Sequence, residues 1–267
     1  MKHELTGGLA VVSYAVTALM LVFVLAPLAI VFVISVSDTP LAVFPPRGFT
    51  LGWYWKVLGD PGFRGAVGFS LGLALSATLA SLALGIPAAL VLVRHPFAGQ
   101  SMAEGVLMSP LVFPTLIMGV ALLQFYAMWN MQNSAINLFF AHILVTLPYV
   151  MRTVMASLRQ ADMTLEEAAL TLGANRFRVL WRVTLPQIAP GVAAGALFAF
   201  MLSFDNYPIS MWLSDAKAEP LPIYLIQAMQ RIFDPSVAAM ASLMTLIGAV
   251  AVFVVEKLVG LRRAMSV

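Results

Sequence analysis

The chain has no cysteine and few charged residues. None of its 267 residues is a cysteine, which excludes disulfides, thiol catalysis and cysteine metal sites. Asp, Glu, Lys and Arg together make up 10% of the sequence, whereas a typical soluble domain carries about 25%. In their place, 61% of the residues are hydrophobic and the mean hydropathy is +0.93. This composition predicts an integral membrane protein.

Signatures of nucleotide binding and of enzyme chemistry are also missing. No G-x-x-x-x-G-K-[ST] phosphate loop occurs, so the chain cannot bind ATP in the Walker manner. A membrane-embedded enzyme would need clustered acids, histidines or a nucleophile–base pair within its spans, where Asp205 stands nearly alone. A stand-alone ion-coupled carrier remains an alternative, but such carriers usually show internal repeats or more intramembrane charges. We therefore expect no catalytic or metal site in this chain.

Long apolar runs predict the architecture. Stretches of about 20 residues, the length needed to cross roughly 30 Å of hydrocarbon, indicate an all-α fold with six transmembrane helices in one domain. We expect these spans near residues 11–35, 66–93, 104–128, 135–156, 189–213 and 236–258 of a single domain covering 1–267. The apolar run of the first span is longer than the core of a signal peptide, which has about 7–15 residues, so we expect it to be retained.

Glycine and proline predict how these spans pack and bend. The spacings Gly68-x-x-x-Gly72 and Gly191-x-x-x-Gly195 allow close helix approach in lipid. Prolines should bend spans two to four, either along a transport pathway or only to shape the bundle. These prolines are Pro87, Pro110, Pro114 and Pro148.

The distribution of Lys and Arg predicts the orientation. Six spans place both termini on one side, and ten of the 15 basic residues fall on that side. They are Lys2, Arg94, Arg152, Arg159, Arg176, Arg178, Arg182, Lys257, Arg262 and Arg263, against Arg47, Lys56, Arg64, Lys217 and Arg231 opposite. The positive-inside rule then predicts cytoplasmic termini in a bacterial inner membrane. Anchoring to anionic lipid explains the net charge of +3, and no nucleic-acid partner is expected.

A polar loop at about 160–186 interrupts the apolar pattern between spans four and five. Thr164 and Glu167 have capping-box spacing, Leu165–Leu172 consists largely of good helix formers, and Gly173 is placed to end the helix. Asn175 could cap a second helix that leads back to the membrane at Pro186. We expect a short helix projecting from the membrane, followed by an interfacial helix.

The residues of this loop resemble a known family. Glu167-Ala168-Ala169, three residues, Gly173, nine residues, then Val183-x-Leu185-Pro186 is similar to the signature loop of permease subunits of binding-protein-dependent ABC importers of the MetI-like type. Val183 departs from the usual isoleucine. The position of the loop before the last two spans fits the family, and the resemblance extends from the outer segment at Thr50 to the end of the sixth span.

The resemblance implies partners and a division of labour. The loop would dock on an ATPase subunit dimer that binds ATP and Mg²⁺, while this chain carries no cofactor. A second homologous permease, expected to be a different chain, and an extracytoplasmic binding protein would complete an importer that works by alternating access. Residues assigned to ATPase coupling are Glu166, Glu167, Ala168, Ala169, Gly173, Leu185 and Pro186.

Within the family, the chain looks most like the spermidine/putrescine permease branch. The similar stretches are residues 203–210 and 221–224. Related branches that import iron(III), thiamine, aminophosphonates, opines or amino-acid-like solutes share such stretches and remain alternatives. Similar polyamine permeases often carry a second acid where Asn206 stands, a departure that weakens the polyamine interpretation.

Asp205 is the one acid that we place well within a predicted span. A carboxylate there should face a partner or a wet cavity. For a cationic solute, Asp205, Asn206, Tyr207 and Trp212 could supply charge attraction and cation–π contacts. A structural carboxylate is the equally weighted alternative.

Two further groups of residues are expected to be structural. His142 has no second histidine or carboxylate at ligand spacing, so we expect a hydrogen-bonded helix residue rather than a metal ligand. The aromatic stretch Trp53-Tyr54-Trp55 is expected to anchor an outer helix at the membrane interface rather than to contact substrate.

Overall fold

The chain folds almost entirely into helices. The computed structural model describes the backbone of residues 8–41 and 44–264, and the side chains of residues 10–41 and 44–257. Over these ranges the regular elements are helical, apart from one isolated bridge between Asp215 and Ala218. The predicted all-α fold is confirmed. Of the basic residues that predict the orientation, Lys2, Arg262 and Arg263 have side chains outside the described ranges.

Twelve α-helices follow one another in the described part of the chain. They are α1 (Gly8–Ser35), α2 (Gly52–Gly59), α3 (Pro61–Arg94), α4 (Gln100–Met108), α5 (Thr115–Met128), α6 (Ser134–Gln160), α7 (Met163–Thr171), α8 (Arg176–Val179), α9 (Leu185–Phe204), α10 (Tyr207–Leu213), α11 (Leu221–Arg231) and α12 (Ser236–Ala264). A 3-10 turn (Ser109–Leu111) follows α4, and a π-helical turn (Leu180–Thr184) joins α8 to α9.

Five stretches of helix are long and apolar enough to cross a membrane. They are Ala10–Ser35, Pro61–Arg94, Ser134–Gln160, Arg176–Phe204 and Ser236–Lys257. A sixth span is reached if the bent pair Gln100–Leu111 and Thr115–Met128 is counted as one crossing. The helices α3 and α6 continue through Pro87 and Pro148 without a break.

The third predicted span, near 104–128, is divided into two helices. The helix stops after Leu111, and the two halves of the pair are bent by 101°. Pro114 lacks the amide hydrogen that a continuing helix would donate, and its ring disfavours helical geometry at Phe113. Pro114 itself is extended, with ψ of 125°, and its carbonyl accepts hydrogen bonds from the Ile117 and Met118 amides of α5. The predicted bend at the prolines is therefore present, but as a break.

The helix of the fifth predicted span, near 189–213, ends before the predicted outer boundary. The helix α9 ends at Phe204, and α10 begins only at Tyr207. The Asn206 side chain accepts a hydrogen bond from the Ile209 amide at 3.2 Å, and Pro208 follows in the first turn. An N-cap side chain followed by a first-turn proline starts a new helix instead of extending the old one.

The chain divides into two compact units, of which one holds α1, α2 and Leu225–Leu246. Within it, the Trp53 Nε1–H donates to the carbonyl of Ser37 at 2.7 Å, and the Tyr54 hydroxyl lies 2.7 Å from Ser35 Oγ. Lys56 pairs with Asp234 at 2.6 Å. Of the aromatic stretch, Trp53 and Tyr54 thus bond within the unit, while Trp55 is 74% exposed.

The other unit, Gly62–Tyr224 with the chain from Ile247 onward, is organised around α6. On one side α6 packs against α9 with almost no space between the backbones. A Cβ added to Gly191 would lie 2.8 Å from the Thr153 carbonyl oxygen and would clash with Ser157 Cβ, and one at Gly195 would lie 2.5 Å from Thr153 Oγ1. Gly191-x-x-x-Gly195 therefore is a close-packing motif, as predicted. At Gly68 and Gly72 a Cβ would meet nothing within 4 Å.

Two buried apolar clusters lie on α6, one towards each end. The first joins Val150, Met151, Val154 and Leu158 of α6 to residues of α3 and α9. The second joins Leu138, Ala141 and Val145 to residues of α3, α5 and α10. The first cluster therefore lies next to the polar loop that follows α6, and the second lies next to α10 after the α9 break.

Candidate functional site

The polar loop forms a short, capped helix, α7. Its cap is Asp162 rather than the predicted Thr164: the Asp162 carboxylate accepts from the Thr164 amide at 2.9 Å and from the Thr164 hydroxyl at 2.8 Å. Both bonds stabilise the charged carboxylate and so lower the pKa of Asp162 below its usual value. The bond from the Thr164 hydroxyl has the larger effect, and the bond from the Thr164 amide has the smaller one. The predicted helix Leu165–Leu172 is thus shifted to Met163–Thr171 because the cap lies two residues earlier.

The end of α7 is a tight turn at Gly173. Gly173 has a φ of +83°, and its amide donates to Leu170 at 2.9 Å while the Ala174 amide donates to Ala169 at 3.0 Å. This pattern is a Schellman motif, which needs a residue that tolerates left-handed geometry. Asn175 then caps α8 by accepting from the Arg178 amide at 2.8 Å. Both predicted roles, for Gly173 and for Asn175, are confirmed.

One face of α7 is exposed and largely apolar. Leu165, Ala168 and Leu172, spaced three and four residues apart, lie on one side of the helix and are exposed. The neighbouring Glu167 is exposed as well. We call Leu165, Glu167, Ala168 and Leu172 the outer face of α7. No residue of α7 is buried, so this helix contributes little to the core of the chain itself.

Nearby aromatic residues extend the exposed apolar surface. Phe177 and Trp181 are 70% and 58% exposed, and their ring centroids lie 6.0 Å apart. Thr184, which a regular helix would place on the same side, is 3% exposed. The π-helical turn between α8 and α9 adds a residue to one turn and so rotates the following side chains inward.

The opposite side of α7 faces the rest of the chain through Glu166. Its Oε1 lies 3.0 Å from Nη2 of Arg94, in the last turn of α3, and Ala169, one turn further on, is half-buried. Two adjacent acids of the predicted coupling set therefore point in different directions.

Leu185 and Pro186 stand at the start of α9. Leu185 packs against the first apolar cluster, whereas Pro186 is exposed. Gln187, next in the chain, accepts a hydrogen bond from the Asp162 amide at 2.9 Å. The beginning of α7 is thereby tied to the beginning of α9.

The second predicted site lies at the α9 break, not inside a span. Asp205 follows the last residue of α9, and its amide donates to the Met201 carbonyl at 3.1 Å. Its side chain is exposed. The prediction that Asp205 lies well within a span is therefore wrong, because the Asn206 cap and Pro208 end the helix next to it.

The three other candidates near Asp205 differ in their surroundings. Asn206 is 4% exposed and its side-chain oxygen caps α10. Trp212 packs on α5, where a Cβ added to Gly119 would lie 2.7 Å from Trp212 Cδ1. Tyr207 is half-buried. Of the four, Asp205 alone is exposed, whereas Asn206 and Trp212 help to build the fold.

A buried polar cluster holds the two sides of the break to α6. The His142 Nδ1 lies 2.7 Å from Ser203 Oγ of α9, and Nε2 lies 3.3 Å from Ser210 Oγ of α10. All three side chains are at most 4% exposed. His142 is hydrogen-bonded, as predicted, and no group of three or more His, Asp or Glu among the described residues could hold a metal ion. The serine partners were not predicted, because their separation in the chain hides the contact.

A third polar pair continues this connection to α3. Ser81 Oγ and Thr146 Oγ1 lie 2.7 Å apart, and the Thr146 hydroxyl also lies 2.7 Å from the His142 carbonyl. Polar residues at helical spacing within apolar spans are the signal that could have indicated this cluster.

The signature loop, its helix and the arrangement of spans match a known family. Residues 81–263 match the model of the binding-protein-dependent transport system inner membrane component. The chain belongs to this family. It is therefore a permease subunit of a binding-protein-dependent importer and an inner membrane protein.

Two relatives of this permease come from Escherichia coli (strain K12). The chain is 32% identical to the putrescine transport system permease protein PotI over 86% of this chain and 83% of the relative. It is 30% identical to the spermidine/putrescine transport system permease protein PotC over 93% of this chain and 91% of the relative.

Among solved structures, the permease is similar to a chain of a bacterial ABC transporter involved in the import of the acidic polysaccharide alginate. The two share a TM-score of 0.68 over 94% of this chain and 95% of the other, at 19% identity. This similarity shows a shared fold.

Proposed function

We propose that this permease moves putrescine or spermidine into the cytoplasm, driven by ATP hydrolysis on partner subunits. Support for the solute comes from the two relatives, whose names specify putrescine and spermidine transport. Support for ATP hydrolysis as the energy source comes from the outer face of α7. We regard this exposed face as the observation on which the proposal mainly rests.

The outer face of α7 suits a protein partner. It presents apolar side chains around Ala168, whose small size permits close docking, with the carboxylate of Glu167 beside them. An exposed carboxylate can pair with a cation of the partner. A helix with no buried residue gains little from its own chain, so an ATPase seated on this face would supply the missing contacts.

The full importer would contain several chains. We infer an ATPase dimer that binds ATP and Mg²⁺, a second homologous permease of different sequence, and an extracytoplasmic binding protein. Closure of the ATPases on ATP would displace α7 and switch the spans between two accessible states. If the termini lie in the cytoplasm, as the positive-inside rule predicts, α7 lies on the side where ATP is available.

Asp205 is the proposed contact for a cationic solute. It carries an exposed carboxylate at the α9 break, and half-buried Tyr207 stands two residues away. A carboxylate and an aromatic ring together attract an ammonium group. Asn206 and Trp212 would act indirectly, since both are already engaged in holding α10.

The solute is tested by uptake of labelled putrescine and spermidine into cells that express the complete importer. Unlabelled iron(III), thiamine, aminophosphonate and amino-acid-like solutes serve as competitors. The proposal predicts saturable polyamine uptake that these competitors leave unchanged. If a competitor is taken up in place of polyamine, the permease is still an importer subunit but the proposed solute is wrong.

The pathway residue is tested by Asp205→Asn in the same assay. We expect polyamine uptake to fall by about tenfold, since the charge–charge contact with the cationic solute is lost. Asp215→Asn is the matched control, because Asp215 is also an exposed acid. Its side-chain oxygen accepts hydrogen bonds from two backbone amides, and the side-chain oxygen of asparagine can accept the same bonds. Equal uptake by both variants and the unaltered protein would remove Asp205 from the pathway.

The coupling face is tested by Glu167→Arg. The substitution should release the ATPase during purification and abolish uptake, while the amount of permease in the membrane stays unchanged. Glu104→Arg reverses an acid of α4, outside the outer face of α7, with 36% side-chain exposure, and should leave the ATPase bound. Retention of the ATPase and of uptake by Glu167→Arg would sink the assignment.

A further inference from the structure

We propose that Glu166 is a positioning residue: its ion pair with Arg94 fixes α7 to the end of α3, so that a displacement of α7 moves α3 as well. This inference rests on the proposed coupling function of α7. It separates Glu166 from Glu167, since Glu166 would act inside the permease whereas Glu167 contacts the ATPase.

The pair is the least exposed of the three ion pairs described. Arg94 and Glu166 lie 3.0 Å apart, with side chains 12% and 18% exposed. Lys56 and Asp234 are 56% and 21% exposed, and Arg159 and Glu104 are 62% and 36% exposed at 3.7 Å. Opposite charges shielded from water attract more strongly and are screened less by salt than surface pairs. Of the three pairs, this one is therefore best suited to transmit a displacement of one helix to another.

Arg94 depends on Glu166 for its charge to be balanced. Its Nε is buried and has no hydrogen-bond partner in the part of the chain that the structure describes. Removing Glu166 would leave a largely buried guanidinium without its carboxylate, which is strongly unfavourable. The two side chains should therefore stay together when α7 is displaced.

The α3 end of the link is firmly held. Leu92, two residues before Arg94, is 4% exposed and belongs to the apolar cluster around α6. The carbonyl of Leu92 accepts a hydrogen bond from Gln100 Nε2 at 2.6 Å, which fixes the turn that follows α3. A force applied at Arg94 therefore acts on a packed helix and not on a loose end.

A second connection joins α7 to the membrane helices at the start of α7. The Asp162 amide bonds Gln187 at the start of α9, so α7 is connected to α9 by its first turn and to α3 by Glu166. The outer face remains free between these connections. A partner seated there would thus move two membrane helices through one short helix.

The test is a charge swap in the complete importer, reconstituted in lipid vesicles with its ATPase and binding protein. Two quantities are measured per assembled complex: uptake of labelled putrescine, and the stimulation of ATP hydrolysis by the binding protein. We expect Arg94→Glu and Glu166→Arg each to retain the ATPase but to reduce both quantities by about tenfold, because two like charges would then face each other in a largely buried place. The double variant Arg94→Glu/Glu166→Arg should recover most of both.

A swap at the exposed pair gives the matched control. Glu104→Arg and Arg159→Glu, alone or together, should leave uptake and stimulation within about twofold of the unaltered complex, because exposed ion pairs contribute little. If a charge reversal prevents assembly, Glu166→Gln removes the charge with almost no change of shape. It should reduce stimulation of hydrolysis without releasing the ATPase.

Three results would separate the possible failures. Loss of the ATPase from Glu166→Gln, as from Glu167→Arg, with no rescue by the swap would make Glu166 a contact residue and overturn the inference. Unchanged stimulation in all Glu166 and Arg94 variants would overturn it as well, while leaving the coupling role of α7 intact. Failure of the unaltered permease to bind any ATPase would instead overturn the proposed function.

Discussion

At the scale of single residues, the two adjacent acids of α7 illustrate what the motif does not specify. The signature predicts a helix and its ending turn, and both are present. However, successive residues of a helix point about 100° apart, so Glu166 faces Arg94 while Glu167 is exposed. The difference depends on where α3 ends, which no local pattern in residues 160–186 reveals.

Asp162 should control the stability of the first turn of α7. Asp162→Ala removes an N-cap and should weaken this turn, seen as faster amide hydrogen exchange in α7. Asp162→Asn keeps an accepting oxygen and should lose only the part of the protection that depends on the negative charge. Equal exchange in the alanine and unaltered proteins would contradict the cap.

The same cap should depend on pH in a defined direction. The pKa of the Asp162 carboxyl is lowered in the folded chain, so its stabilisation is complete above the ordinary value of about 4 and is lost as pH falls through the lowered one. The excess protection of α7 over Asp162→Asn should disappear under acid. A pH-independent difference would argue against a charged cap.

Gly173 should tolerate only residues that accept a left-handed backbone. Gly173→Val places a β-branched side chain at a φ of +83° and should cost about 1–3 kcal/mol locally. We expect uptake to be lost while the permease remains in the membrane. Gly173→Asn is the control, since asparagine accepts this conformation more readily. Normal uptake by the valine variant would show that the turn is dispensable.

At the scale of helices, the spans are interrupted where capping and proline chemistry oppose their hydrophobic length. The apolar pattern continues across Pro114 and across Asn206-Tyr207-Pro208, so hydropathy predicts uninterrupted spans there. The chain instead breaks at both places. Of the four prolines expected to bend spans, Pro87 and Pro148 leave their helices continuous, so proline alone did not predict the break.

The α6–α9 crossing should not accept larger side chains. Gly191→Val would put methyl groups into space filled by Ser157 and the Thr153 carbonyl, forcing the helices apart. The amount of monodisperse permease extracted in detergent should drop severalfold. Gly105→Val in α4, where a Cβ would meet nothing within 4 Å, should give unchanged amounts. Equal recovery of both would mean that the crossing is looser than described.

The hydrogen bonds of His142 should stabilise the two sides of the α9 break. His142→Ala leaves the buried hydroxyls of Ser203 and Ser210 without their ring partner and should cost on the order of 1–2 kcal/mol. The thermal unfolding midpoint in detergent measures the loss. Ser76→Ala, which removes a bond to the Leu73 carbonyl in its own helix, should shift the midpoint little. Equal midpoints for the two variants would show that the hydrogen bonds of His142 do not stabilise the packing of α6 against α9 and α10.

At the scale of the whole molecule, composition and one motif predicted most of the identity. Sparse charge and long apolar runs indicated the membrane, and Glu167-Ala168-Ala169 with Gly173 and Leu185-Pro186 indicated the importer family. Contacts between residues distant in the chain were not predictable from periodicity. They include Arg94 with Glu166 and His142 with Ser203 and Ser210, and they determine which motif residues face outward.

The most direct test of the account measures whether this permease transports only when an ATPase is seated on α7. Vesicles containing the permease pair and binding protein are assayed for uptake of labelled putrescine with and without the ATPase and ATP, and with Glu167→Arg. We predict uptake only with the ATPase and ATP present, and none in the variant. Putrescine uptake by the permeases without ATPase, or undiminished uptake by Glu167→Arg, would contradict the account.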